Sequence, residues 1–198
     1  MRSNICKIDN GTKDLAAILA ESEKVAVYNG LTNKQTLQLR LICEEIDGML
    51  PNIVDNFNGD LWIDFEDGVC KVNIVLRFEE FTLEKKDGLI GISKNKKNAA
   101  AVGITGKIRS AIENVLWDED PTRVIDSPVD AYYLSDVHDR MDYSYLWSLE
   151  EYRSTVKYDA QSEAWDELEK SVIASVADDI TVGVKGKRAN IVIVKKFA

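Results

Sequence analysis

Lysines and glycines gather at one place in this chain: Lys94, Lys96 and Lys97 precede Gly103-Ile104-Thr105-Gly106-Lys107. Glycines at a helix start can present backbone N–H groups to a phosphate, and lysines around them add positive charge. Lys97, Lys107 and the backbone from Gly103 to Gly106 are therefore the candidate contacts for a phosphate-bearing ligand such as a nucleotide. The spacing is not that of a P-loop, which needs Gly-x-x-x-x-Gly-Lys-Ser/Thr after a strand. The same residues could instead form a lysine-rich loop whose glycines allow tight helix packing. The cluster stands out because 25 Lys and Arg against 34 Asp and Glu leave a formal charge of −9. An acidic protein repels anions on average, so a local cluster is where the field can reverse. The same balance argues against a general nucleic-acid binder.

Other chemistries fare worse. The segment Asp136-Val137-His138-Asp139-Arg140-Met141-Asp142 offers nitrogen and oxygen donors, but His138 is the single histidine of the chain, so a zinc hydrolase site is not expected and no metal ligand set is assigned. Cys6, Cys43 and Cys70 are odd in number, far apart and without a C-x-x-C spacing, which predicts three reduced, buried thiols. There is no Gly-x-Ser-x-Gly elbow, and one histidine could not serve a Cys-centred triad at three thiols. Trp117, Trp147 and Trp165 flank helical segments at spacings that suit packing.

The elements that must position these residues follow from hydrophobic periodicity. Residues 13–24 read as a short amphipathic helix. Residues 33–50 read as a longer one, with Leu39, Ile42, Cys43, Ile46, Met49 and Leu50 on one face and Pro51 closing it. Residues 60–66 and 69–78 alternate apolar with polar side chains around Asp67-Gly68, a strong hairpin signal because Asp-Gly accepts the positive φ angles of a type I′ turn. Residues 81–87 suggest a helical turn, and residues 99–116 a further helix. Residues 118–142 hold eight acids against Arg123 and Arg140, with two of the three prolines and no period; they read as a surface excursion facing a partner or packed on the domain. Helical spacing returns at 143–153 and 162–177, and two strands at 180–184 and 189–197 flank Gly186-Lys187. At 198 residues this predicts a single domain, 1–198, of class α/β: a two-layer sandwich with helices on one face of a mixed or antiparallel sheet of at least four strands. No apolar run approaches the roughly 18 residues of a membrane span, and the first residues lack the apolar stretch of a signal peptide. A cytoplasmic location and no membrane partner are expected.

The run Leu39-Arg40-Leu41-Ile42-Cys43-Glu44-Glu45-Ile46-Asp47-Gly48-Met49-Leu50, followed by a hairpin with Gly59-Asp60-Leu61-Trp62-Ile63, resembles the start of the histidine-kinase-like ATPase fold. That fold is shared by sensor kinases, anti-sigma-factor serine kinases, a heat-shock chaperone and type II topoisomerases. The chain is similar in particular to small bacterial ATP-binding or anti-sigma-factor-like proteins. The segment 93–109, the box 145–153 and the C-terminal 165–171 and 195–197 extend the resemblance over most of the chain. In active members the first long helix carries a Glu and, four residues on, an Asn that holds magnesium against the ATP phosphates. Here Glu44 plus four is Gly48 and Glu45 plus four is Met49, so the hard oxygen ligand is missing. At 100° per residue Glu45 lies beside Met49 on the edge of the apolar stripe, and Glu44 nearly opposite. The family's Asp-x-Gly-x-Gly motif has no counterpart, since Asp87-Gly88-Leu89-Ile90-Gly91 has the wrong spacing.

The resemblance therefore implies a regulatory protein with eroded motifs, binding ATP or ADP or a protein partner without efficient phosphoryl transfer, and with little use for magnesium. Two alternatives stand beside it. One is an active ATP-dependent serine kinase using Glu45 as base and the lysine cluster for phosphates. The other is a pure interaction or oligomerisation module.

Overall fold

The computed structural model describes residues 1–10, 15–54, 56–78, 103–117, 145–157, 168, 171–185 and 187–197. Its order is β1 (Cys6–Asp9), α1 (Leu15–Tyr28), α2 (Asn33–Ile53), β2 (Asn58–Glu66), β3 (Val69–Arg77), α3 (Gly103–Trp117), β4 (Tyr145–Ser148), α4 (Leu149–Lys157), α5 (Val172–Val176), β5 (Asp179–Lys185) and β6 (Arg188–Lys196). The six strands form one sheet in the order β1-β2-β3-β6-β5-β4. Every neighbouring pair is antiparallel.

Register decides which side chains meet. Cys6, Leu61, Ile74, Ile191 and Val182 lie opposite one another across five strands, and Ile63, Val72, Ile193 and Ile180 across four. All are buried. They join Ile18, Leu39, Ile42, Ile46, Ile108 and Ile112 of the helices in one core, as expected when a period-two strand face meets a 3.6-period helix stripe.

The Asp67-Gly68 turn has φ angles of 49° and 77°, the two positive values that the sequence signal requires. A Cβ on Gly68 would stand 2.9 Å from the Phe197 carbonyl oxygen. Phe197 donates its N–H back to the Gly68 carbonyl at 2.7 Å, and its ring stacks on Phe65 at 6.3 Å. The Met1 carbonyl accepts from the Phe65 N–H at 2.8 Å, so residues from both ends of the chain meet at this hairpin.

Four local expectations need correction. The first helix runs four residues past 24 because Val25 and Ala26 are buried, and it ends where Leu31 and Gly30 donate to Ala26 and Val27, a Schellman closure. Pro51 does not close α2. Only one intrahelical bond is lost in this last turn, and burial of Ile53 and Val54 carries the chain on to a Val54 N–H to Leu50 bond of 3.2 Å. Of the 143–153 stretch, the described residues from Tyr145 on are a strand followed by a helix: Ser148 Oγ and Asp179 Oδ1 accept the N–H groups of Glu151 and Glu150, so the side chains cap α4 at that point. Ser171 is extended and caps α5, accepting from Ala174, so 162–177 is not one continuous helix. Strand β1 was not legible from its sequence.

Candidate functional site

Helix α2 is held at its start by a capping box in which Thr32 and Gln35 serve each other's backbone N–H groups. That fixes which residues face out. Glu44 is half-buried and accepts from Arg40 Nε at 2.9 Å, while Arg40 also reaches Glu23 of α1 at 3.2 Å. Glu45 is half-buried, as Glu44 is, so burial does not separate the two glutamates as their angular positions suggested; Met49 is buried. Gly48 is exposed, with nothing within 4 Å of where a Cβ would be. Its carbonyl accepts from Asn52 Nδ2 at 3.1 Å.

Helix α3 opens at Gly103, whose φ is +77°, with open space around its Cβ position. Gly106, one turn on, is buried. Lys107 places its Nζ 5.5 Å from the ring centroid of Tyr152 on α4, and Tyr152 in turn meets Trp147 at 6.1 Å. Arg109 points elsewhere. Its guanidinium bonds Glu113 at 2.9 Å and the Asn52 carbonyl at 3.4 Å, placing a cation at the C-terminal end of α2 where the helix dipole favours one. Two residues apart on a helix means about 200° of rotation, so Lys107 serves the α4 side while Arg109 serves α2. The structure brings α2 and α3 together through Asn52 and Arg109, while Lys107 and Glu45 form no ion pair among the described residues. Neither Asn52 nor Arg109 was singled out by motif, because the one is an ordinary late-helix polar residue and the other half of an i,i+4 ion pair.

Lys94, Lys96, Lys97, the 87–91 string, the 118–142 excursion with His138, and Trp165 lie outside the described residues. Trp147 is partly buried against the core, in keeping with a packing role. None of the three cysteines forms a disulfide, and all three are buried. Burial pushes the Cys43 thiol up to about 12 and that of Cys70 up as well, so neither is a thiolate nucleophile near neutral pH. Among the described residues no group of three His, Cys, Asp or Glu side chains could hold a metal ion, and no helix is long and apolar enough to cross a membrane.

No protein-family model, curated protein or solved structure matches this chain.

Proposed function

We propose that this is a cytoplasmic regulatory protein of histidine-kinase-like ATPase type whose magnesium and ATP motifs are eroded, and which acts by binding a nucleotide or a protein partner. Support comes first from the arrangement: a long helix, a tight hairpin and a glycine-started helix set over an antiparallel sheet. The observation that carries the proposal is at Gly48. On the helix that would supply a magnesium ligand, one register offers a glycine facing open space and the other a methionine that is 5% exposed. Neither presents a hard oxygen, and phosphoryl transfer relies on a positioned metal to neutralise developing charge. Lys107, held over Tyr152, would have to leave that ring to meet a phosphate. Incubation of the full chain with γ-labelled ATP and magnesium tests the proposal. No release of label above the uncatalysed background is expected, and repeated turnover to phosphate or to a labelled protein would overturn it.

A further inference from the structure

The sheet face turned away from the core carries its charges unevenly. In the register of β3, β6 and β5, Arg77 lies opposite Arg188 and Arg188 lies opposite Lys185. Residues directly opposite one another share a face, with Cβ atoms about 4.5–5.5 Å apart. Three cations therefore stand in one row across three adjacent strands, and Lys187 in the turn extends it. Arg188, Lys185 and Lys187 are exposed. Like charges directly opposite each other destabilise a sheet. Of the row, Arg77 is paired, giving an N–H to Asp60 at 2.8 Å, whereas Arg188 and Lys185 make no ion pair among the described residues.

Elsewhere on the same face the Asp64 carboxylate is matched internally, whereas Lys71 and Lys196 stand singly without an ion pair among the described residues. The Asp64 carboxylate accepts from Arg2 at 2.7 and 3.0 Å, from Trp62 Nε1 at 2.9 Å and from Asn73 Nδ2 at 3.1 Å. Arg2 also lies 5.6 Å from the Trp62 ring. Arg188 and Lys185 thus place two directly opposed cations without ion pairs at one corner of a chain whose formal charge is −9. Folding alone gains nothing from that arrangement.

We propose that this corner docks an acidic, extended segment of a partner protein. Alternate side chains of an extended strand recur about every 6.6–6.8 Å on one side, a spacing that long Arg and Lys side chains on the row can meet. Asn190, 6% exposed and two residues from Arg188 on the same face, places an amide beside the row. A long polyanion such as nucleic acid would have to cross the remainder of an acidic surface, whereas a short acidic segment need touch only the corner. The site stands apart from α2 and α3 and does not depend on nucleotide binding.

Fluorescence anisotropy of a labelled peptide alternating Glu with Ser, titrated with the full chain at low and high salt, tests this. Binding is expected at low salt, weakened about tenfold or more by high salt and by the K185Q/R188Q double variant. The R188E variant should weaken it at least as much, and K71Q, on the same face but outside the row, should leave it unchanged. The double variant should melt no lower than the parent, because repulsion within the row is relieved. No binding to the parent at low salt, or equal binding by the double variant, would overturn the proposal. So would a single-stranded oligonucleotide that binds more tightly than the peptide at the same residues, or salt-sensitive self-association that the double variant abolishes, which would make a second copy the occupant.

Discussion

Glu21 and Asp60 are carboxylates that the fold keeps charged although they are largely covered, with side chains 11% and 14% exposed. Glu21 receives Lys24 Nζ at 2.6 Å and both the backbone N–H and the side-chain amide of Asn4, and these bonds hold its pKa below the ordinary value. Burial works to raise the pKa of Asp60, but hydrogen bonds from Lys7 at 2.5 Å and Arg77 at 2.8 Å outweigh it and lower the value. A carboxyl depressed on folding adds stability that is present above its unfolded pKa and lost as pH falls through the folded one. Stability should therefore drop on acidification below about pH 4, and that part of the drop should shrink in E21Q/D60N when urea midpoints are compared between neutral and acid pH. Lys107 carries a second prediction. The charge pattern of the sequence makes it a candidate phosphate contact, for which only a binding effect of substitution would be expected. Its place over Tyr152 says otherwise: K107Q should lower stability by about 0.5–1 kcal/mol, and that loss should vanish in a Y152A background.

Among the elements, β2 shows how closely the strands are fitted. A Cβ on Gly59 would clash with the Val75 carbonyl oxygen of β3 and stand 3.3 Å from Ile8 Cγ1 and Leu76 Cδ2. Gly59→Ala should then cost about 1–3 kcal/mol as overpacking, read as a lower urea midpoint with an unchanged slope. The β2–β3 hairpin was legible almost residue for residue, because alternation and Asp-Gly turn chemistry are both local. So was the buried face of α2. What escaped was set by distant partners. Cys6–Asp9 is a strand because β2 offers it an edge, and Tyr145–Ser148 is a strand because β5 does. Pro51 was expected to end a helix that burial of Ile53 prolongs. Of the candidate site, the absence of an Asn four residues after either glutamate could be read directly. The Asn52–Arg109 tie and the Arg77-Arg188-Lys185 row could not, since they depend on which helices and strands become neighbours.

At the scale of the whole molecule, one core among the described residues joins the helices to a single sheet face, and the proposed sites lie on the outward side of α2, at the start of α3 and on the far face of the sheet. On the proposed reading, which puts Gly48 or Met49 where a magnesium ligand would stand, ATP affinity should come from contacts that do not involve the metal. Calorimetric titration of the full chain with ATP, once in magnesium and once in EDTA, tests this most directly. The predicted result is weak binding that differs little between the two conditions. A gain of tenfold or more with magnesium, about 1.4 kcal/mol, would mean that other residues rebuild the metal site, and would contradict the account.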